Sequence, residues 1–295
     1  MCDLCPRRCR VDRASGQTGF CGADYLSVKI ARAALHFWEE PCISGTRGSG
    51  TVFFSYCTLR CVYCQNSPIS TGAAGASVGT DRLADIFLEL EAQGAHNINL
   101  VTPTHYVLQI TAAIELARRR GLSLPIVYNT GGYELPSVIG RLHGYVDIFL
   151  TDYKYSNHID ALRYSGVSDY TEYASASLRK MVEIAPLSFS PDGLLRSGVI
   201  VRHLLLPGKL TAAKNILKHL YTQYENRIYY SLMSQYTPVP GVLPELNRTV
   251  TEPDYRRLTA YADRLGIKNA YIQEGAAASE SFIPPFDLTG VLPQS

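Results

Sequence analysis

Short apolar runs alternate with amphipathic stretches along most of the chain, and this pattern predicts strands that are each followed by a helix. The first run, at 51–56, is β-branched and aromatic and comes after glycines, as is typical of a buried strand. The stretch 80–94 then places Leu83, Ile86 and Phe87 at helical spacing. The regular part of the chain therefore begins with one strand and one amphipathic helix.

The same alternation continues to about residue 273. Further strands are predicted at 97–102, 124–128, 146–152, 198–203, 228–234 and 270–273. The predicted helices between them cover 106–120, 136–142, 171–185, 211–224 and 253–265. Six or seven strand–helix units in series imply a parallel sheet with helices outside. An open doubly wound sheet and a full or partial barrel fit this pattern equally well.

The pattern also divides the chain into three parts. Residues 1–49 form an extension that is rich in Cys, Arg and Gly and has few periodic signals. Residues 50–280 form the α/β domain. Residues 281–295 contain three prolines and are predicted to be an irregular tail.

Several polar residues and one glycine lie at the ends of predicted strands or just beyond them. They are Cys57, Thr102, Thr104, His105, Asn129, Thr130, Gly131, Asp152, Lys154, Arg202 and Tyr236. In parallel α/β proteins the chemistry takes place at the carboxyl ends of the strands. We therefore expect these groups to converge on one rim of the sheet.

Composition and charge narrow the class of protein. The 295 residues are 46% hydrophobic and 18% charged, which fits a globular enzyme of one large or two smaller domains. The net charge of +2 is too small and too evenly spread to indicate a nucleic-acid partner. No apolar run approaches the roughly 20 residues that span a bilayer, and the first residues lack the apolar segment of a signal peptide. We expect a cytoplasmic protein without membrane contact.

Seven of the eight cysteines fall in two tight groups, which indicates metal binding rather than a disulfide framework. Cys57, Cys61 and Cys64 form a CxxxCxxC loop after the first strand. Three thiolates can hold three irons of a [4Fe–4S] cluster and leave the fourth open to a small molecule. A structural zinc would need a fourth ligand, which the loop does not supply. Three buried structural cysteines, or a zinc site completed from elsewhere, are the alternatives.

The loop, with Tyr63 before its last cysteine, resembles the signature of the radical S-adenosylmethionine (SAM) superfamily. The sequence over about 50–240, which includes Cys64-Gln65-Asn66, resembles its pyruvate formate-lyase activating enzyme-like branch. Residues 2–9 and 34–41 resemble a largely uncharacterised sub-branch with a Cys-rich leader. The resemblance implies a partial (β/α)₆ TIM-like barrel whose cluster reductively cleaves SAM. The resulting 5′-deoxyadenosyl radical would abstract a hydrogen atom from a substrate under anaerobic conditions.

The resemblance also assigns roles at the strand ends. The groups expected to hold SAM are Tyr63, Thr102, Thr104, His105, Asn129, Thr130, Gly131, Asp152, Lys154, Arg202 and Tyr236. Asp152 and Lys154 match the family's Asp-x-Lys and are also the catalytic candidates; a surface ion pair is the plainer interpretation. Two motifs depart from the pattern: 101–105 stands where the family has Gly-Gly-Glu, and 129–132 stands in place of Asp-Thr-Asn-Gly.

The second group of cysteines comprises Cys2, Cys5, Cys9 and Cys21. Four thiolates form a complete set for either a zinc ion or an auxiliary [4Fe–4S] cluster, and reduced thiols without metal are the alternative. Cys42 is interpreted as a bystander thiol. Glu39 and Glu40 are predicted to be solvated rather than catalytic.

The branch resemblance suggests the activation of a glycyl radical enzyme. Radical modification of a small molecule or an RNA stays open, as does a non-catalytic iron–sulfur electron carrier. The many polar groups expected on the rim argue against a carrier, which needs no second-ligand pocket. We expect a monomer that receives electrons from a ferredoxin or flavodoxin and has a protein as one candidate substrate.

Overall fold

The computed structural model describes residues 1–273 and 283–293. Its strands are β1 (Val28–His36), β2 (Ser49–Phe54), β3 (Ala76–Val78), β4 (Ile98–Val101), β5 (Ile126–Thr130), β6 (Ile148–Asp152), β7 (Ser188–Phe189), β8 (Leu195–Leu204), β9 (Tyr229–Met233) and β10 (Ala270–Ile272).

The described residues contain the six predicted helices and three short helices that were not predicted. They are α1 (Pro41–Ser44), α2 (Ser67–Ser70), α3 (Thr80–Ala92), α4 (Val107–Arg119), α5 (Pro136–Arg141), α6 (His158–Ser165), α7 (Tyr170–Ile184), α8 (Leu210–Tyr224) and α9 (Glu252–Leu265). The helices that were not predicted are α1, α2 and α6. Short 3₁₀ turns lie at Arg13–Ser15, Thr104–Tyr106 and Pro244–Leu246. In the described part of the chain, no helix is long and apolar enough to cross a membrane.

The sheet has the strand order β3-β1-β2-β4-β5-β6-β8-β9-β10, with β7 paired to β8 outside this path. From β2 to β10 all neighbours on this path are parallel, and each lies beside the next in the chain. This order does not reverse, as it would in a doubly wound sheet, and it matches the winding of a (β/α) barrel. The mixed α/β class is therefore confirmed, and the strand order differs from that of a doubly wound sheet.

The two faces of the sheet carry different side chains because successive residues of a strand point to opposite sides. On one face, residues such as Leu100, Tyr128 and Phe149 join the large core under the helices. On the other face, Val127 and Leu150 pack against the short helix α1. Toward the carboxyl ends of the strands this second face becomes polar, and the candidate site lies there.

The extension supplies a strand of the sheet, and the tail forms hydrogen bonds to that strand. No strand is predicted from the sequence in either segment. β1 pairs antiparallel with β2, so the sheet begins before residue 50. The described part of the tail contains no helix or strand, yet Leu288 N–H donates to Ala31 and Ala33 N–H donates to Thr289, at 3.0 and 2.8 Å. The predicted boundary at 280/281 lies outside the described residues.

Candidate active site at the carboxyl ends of the strands

A cavity of about 400 Å³ opens at the carboxyl ends of the parallel strands. This volume lies in the range of small-molecule sites. Five of the predicted SAM-binding residues line it: Tyr63, Asn129, Asp152, Lys154 and Arg202. The structure therefore brings together groups from the cysteine loop, β5, β6 and β8, as parallel strand ends predict.

Arg202 is the centre of the polar network in this cavity. Its Nε donates to Asp152 Oδ1 at 3.0 Å, its Nη2 to Asn129 Oδ1 at 2.6 Å, and its Nη1 to Glu39 Oε2 at 3.3 Å. The other oxygen of Asp152 accepts from Lys154 Nζ at 2.5 Å. The guanidinium fork thus fixes two carboxylates and one amide that come from three different parts of the chain.

The charges of Asp152 and Lys154 are maintained by their neighbours. Burial opposes ionisation of Asp152, but Lys154 and Arg202 outweigh it and hold the pKa of that carboxyl below its ordinary value. Burial alone would lower the pKa of Lys154, yet Asp152 and the Cys61 thiol raise it above its ordinary value. A fixed cation therefore lies in the cavity next to the cysteine loop. The side chains of Asp152 and Lys154 are each only 18% exposed, so the pair is not a surface ion pair.

The prediction that Glu39 and Glu40 are solvated is wrong. Glu39 is 10% exposed at its side chain, and its Oε1 accepts from Asn99 Nδ2 at 3.0 Å in addition to the Arg202 contact. Glu40 is 8% exposed, and both residues line the cavity. Burial raises the pKa of each carboxyl, against the attraction of Arg202. The physical reason is the β1–β2 connection, which places this acidic pair over the polar end of the sheet.

Asn99 is a further residue of the site that sequence analysis did not include, although the sequence does indicate that it is unusual. It is a lone amide inside the apolar strand Ile98–Val101, and it is fully buried. A buried amide needs a partner, which Glu39 supplies. The glutamates carried no such signal, because their burial depends on a connection whose path is set by tertiary packing.

The cysteine loop begins directly after β2 and is shaped by unusual backbone. Tyr56 and Arg60 have positive φ angles of 75° and 51°, a conformation that non-glycine residues rarely adopt. The turn is closed by the Cys64 N–H, which donates to Cys61 O at 3.0 Å, and is anchored by Val62 N–H to Tyr164 O at 2.9 Å. The loop is thus held as a compact unit against α6.

A chain of hydroxyl groups ends on one of the loop sulfurs. Ser165 Oγ donates to Cys61 Sγ at 2.9 Å. Tyr155 OH bonds Ser165 Oγ at 2.5 Å, and Tyr63 OH bonds Tyr155 OH at 3.0 Å. Hydrogen bonds to ligating sulfurs are among the factors that set the reduction potential of a cluster. Tyr63 is itself buried, with one part lining the cavity.

The donor chemistry of the loop fits an iron–sulfur cluster. Burial and the neighbouring thiols Cys61 and Cys57 raise the pKa of Cys64 to about 12, so without a bound cation this side chain is a neutral thiol at pH 7. Within the described residues, no three His, Cys, Asp or Glu side chains are grouped so as to hold a metal ion. The three thiols nevertheless act on one another: Cys57 and Cys61 raise the pKa of Cys64, Cys61 raises that of Cys57, and the Lys154 cation opposes both shifts.

Thr102 and Gly131 lie beside the cavity rather than in its lining. Thr102 has a φ of 61°, and its N–H donates to Asn129 O at 2.8 Å. A β-branched residue in this conformation costs roughly 1–3 kcal/mol, so the turn that replaces Gly-Gly-Glu is strained. A Cβ on Gly131 would lie 3.1 Å from Leu59 and 3.4 Å from Lys154. The end of β5 therefore approaches the cysteine loop closely.

Thr104 and Thr130 point away from the cavity and bind a buried carboxyl that sequence analysis missed. Both hydroxyls donate to Glu134 Oε1, and Tyr128 OH does so at 3.5 Å. Glu134 is fully buried, and its Oε2 has no hydrogen-bond partner. Burial raises the pKa of Glu134 to about 7, against the effect of these hydrogen bonds.

The raised pKa of Glu134 makes stability pH-dependent. Stability from the neutral carboxyl is complete below about pH 4.5 and is lost as pH rises through about 7, a loss of about 3 kcal/mol. We expect urea unfolding to show this loss between pH 5 and pH 8 in the wild type, and Glu134→Gln to remove most of it. Parallel pH profiles of the two proteins, at equal metal content, would contradict the expectation.

His105 and Tyr236 also lie outside the cavity. His105 is 2% exposed and lines a separate, small cavity with the N-terminal cysteines. Tyr236 packs edge-on against Tyr63, with its OH donating to Leu246 O at 2.9 Å. Neither residue is therefore placed where it would touch a ligand in the larger cavity.

Comparisons with known proteins give one sequence relative and a shared fold. No family model matches the sequence. The chain is 25% identical over 283 residues to the uncharacterized protein MJ0674 of Methanocaldococcus jannaschii, which covers 92% of this chain and 76% of the relative. The fold of the present chain is similar to that of SuiB from Streptococcus suis, which was solved bound to the precursor peptide SuiA. The TM-score is 0.51 and the sequence identity is 12%. The match spans 76% of this chain and about half, 48%, of SuiB.

Proposed function

We propose that this protein is a radical SAM enzyme in which Cys57, Cys61 and Cys64 bind a [4Fe–4S] cluster. The observation that carries the proposal is the position of the loop: its three thiols follow β2, next to the Lys154 cation, and the loop residues Tyr63, Gln65 and Asn66 line the polar cavity. A structural metal site would not need a small-molecule cavity beside it.

The fold is compatible with this proposal. SuiB, which was solved bound to the precursor peptide SuiA, has a similar fold over three quarters of this chain. Sequential parallel strands from β2 to β9 are also what a partial (β/α)₆ barrel requires. We propose that barrel as the architecture of residues 50–280, with the antiparallel pair β1 and β3 added at its first edge.

The residues around the cavity would each have a defined task. When bound, the cluster supplies the electron that splits a carbon–sulfur bond of SAM into methionine and a 5′-deoxyadenosyl radical. Lys154, kept charged by Asp152, would pair with the SAM carboxylate. Glu39 and Glu40 offer acceptors for its ammonium, the role of the missing Gly-Gly-Glu glutamate. Tyr63 would pack beside the ligand and exclude water.

We further propose that the substrate is a polypeptide. The similarity of SuiB, solved with a precursor peptide, favours this class over a small molecule. Activation of a glycyl radical enzyme is the finer proposal within the class, supported by the resemblance of the cysteine loop and of Asp152-x-Lys154 to activating enzymes.

Cleavage of SAM tests the class of enzyme. We expect the anaerobically reconstituted protein to form 5′-deoxyadenosine and methionine in equal amounts when SAM and a low-potential reductant are supplied. Liquid chromatography with mass spectrometry measures both products, and omission of the reductant is the control. A fully cluster-loaded protein that forms neither product would overturn the proposal.

A further inference from the structure

The four N-terminal cysteines are gathered into one small cavity. Cys2, Cys5, Cys9 and Cys21 line it together with His105. The beginning of the chain is fixed there, because Cys2 N–H donates to Val11 O at 2.7 Å and Arg10 N–H donates to Cys2 O at 3.1 Å. Cys2 is therefore fixed beside the segment that follows Cys9, and Cys5 and Cys21 are both buried.

The cavity has features of a built site. Phe20 N–H donates to Cys9 Sγ at 3.3 Å, and a Cβ on Gly19 would lie only 2.9 Å from that sulfur. His105 Nε2 donates to Ser55 O at 2.9 Å, which leaves Nδ1 as an acceptor, and this buried atom has no partner. Arg13 also lines the cavity, and its buried Nε has no partner either.

Two reciprocal contacts join this cavity to the CxxxCxxC loop. Arg7, between Cys5 and Cys9, donates to the carbonyl oxygen of Thr58 at 2.9 Å. Arg60, in the loop, donates back to the carbonyl oxygen of Cys21 at 3.0 Å. Both guanidinium groups lie on the ring of Phe20, at 3.7 and 5.0 Å from its centroid. The segment that carries the N-terminal cysteines is therefore in direct contact with the CxxxCxxC loop.

We propose that Cys2, Cys5, Cys9 and Cys21 bind a second [4Fe–4S] cluster that relays electrons to the cluster of the CxxxCxxC loop. Four thiolates complete a cubane, so this cluster has no iron open to SAM. A zinc ion would also accept four thiolates, but zinc does not change its oxidation state. It therefore could not pass electrons to the neighbouring CxxxCxxC loop. The relay half of the proposal rests on the proposed function, whereas the cluster itself does not.

The electron count is simple. A low-potential one-electron donor is oxidised by one electron, and the N-terminal cluster is reduced from the 2+ to the 1+ state. It returns to 2+ as the loop cluster takes up that electron. Arg7, Arg8 and Arg13, which line the cavity, would stabilise the additional negative charge of the reduced state.

Metal content of matched variants tests the second cluster. One variant, Cys57→Ala/Cys61→Ala/Cys64→Ala, removes the loop site, and the other, Cys5→Ala/Cys9→Ala, removes the N-terminal site. We expect each to retain roughly half of the wild-type iron and acid-labile sulfide. The triple variant should also show the electron paramagnetic resonance signal of a reduced [4Fe–4S] cluster. Cys42→Ala, in a buried cysteine outside both groups, should leave the iron content unchanged.

The outcomes separate this inference from the proposed function. Zinc in the triple variant, or no metal at all, would overturn the second cluster even if the wild type cleaves SAM. Failure of SAM cleavage with both clusters present would overturn the proposed function and leave the second cluster standing. For the relay, reduced flavodoxin should reduce the loop cluster more slowly in Cys5→Ala/Cys9→Ala than in the wild type, while dithionite reduces both alike. Equal rates with flavodoxin would overturn the relay.

Discussion

Replacing Arg202 with methionine is expected to lower the free energy of unfolding by about 3 kcal/mol, because it leaves buried carboxylates without their shared cation. Asp152 would retain Lys154, but Glu39 would lose its only basic partner among the contacts that the structure describes. Methionine occupies a similar volume, so the loss would come from charge rather than from a cavity. Urea unfolding of the apoprotein at pH 7 measures this effect.

The control for this variant is Arg163→Met. Arg163 also forms an ion pair, with Glu245 at 2.5 Å, but its side chain is 53% exposed. Exposed ion pairs contribute little to stability, so this variant should unfold close to the wild type. A similar small change in both variants would show that the Arg202 network does not stabilise the fold.

Arg202→Met should also weaken the binding of SAM, and this effect can be measured separately from its effect on stability. If SAM binds between Lys154 and Glu39, its dissociation constant should rise by a factor of about 100, because Arg202 holds Asp152 and Glu39 in place and the displacement of Glu39 removes a charge-assisted contact of about 3 kcal/mol. The measurement is equilibrium binding at a temperature where the variant remains folded. Unchanged affinity would place SAM elsewhere in the structure.

The fold could be predicted largely because its information is local. Each parallel strand is a short apolar run, and each long helix has an apolar stripe, so the strand–helix series from β2 onward follows from sequence periodicity. The predicted and observed ends of these elements differ by at most three residues, as at 51–56, where the strand is Ser49–Phe54. β1 was missed, because its nine residues mix apolar, basic and small side chains without clear alternation.

The candidate site was predictable only where a side chain follows its own strand directly. Asn129, Asp152 and Arg202 end their strands and meet in the cavity. Glu39 reaches the same place from the β1–β2 connection, and no sequence spacing encodes such a path. Thr104, Thr130 and His105 show the converse, since they follow strands but turn to the other side, toward Glu134 and the N-terminal cysteines.

Replacing Cys61 with alanine is expected to reduce 5′-deoxyadenosine formation to background. A [4Fe–4S] cluster with an open iron has three protein ligands, and loss of one leaves only Cys57 and Cys64. Cys61 is the thiol nearest the hydroxyl chain, because it accepts from Ser165 at 2.9 Å. We therefore expect loss of about half of the bound iron together with loss of SAM cleavage, measured on the same anaerobic preparation.

Cys42→Ala is the matched control, because Cys42 is buried, lies in neither cysteine group and contacts Tyr271 instead. It should retain both the iron and the cleavage of SAM. A Cys61→Ala protein that still forms 5′-deoxyadenosine at the wild-type rate would show that the loop does not hold the reactive cluster. Loss of cleavage with full retention of iron would instead assign Cys61 a role in binding SAM, since the cluster would then have another ligand. Only joint loss of iron and activity agrees with three thiolates that hold a cluster whose remaining iron binds SAM.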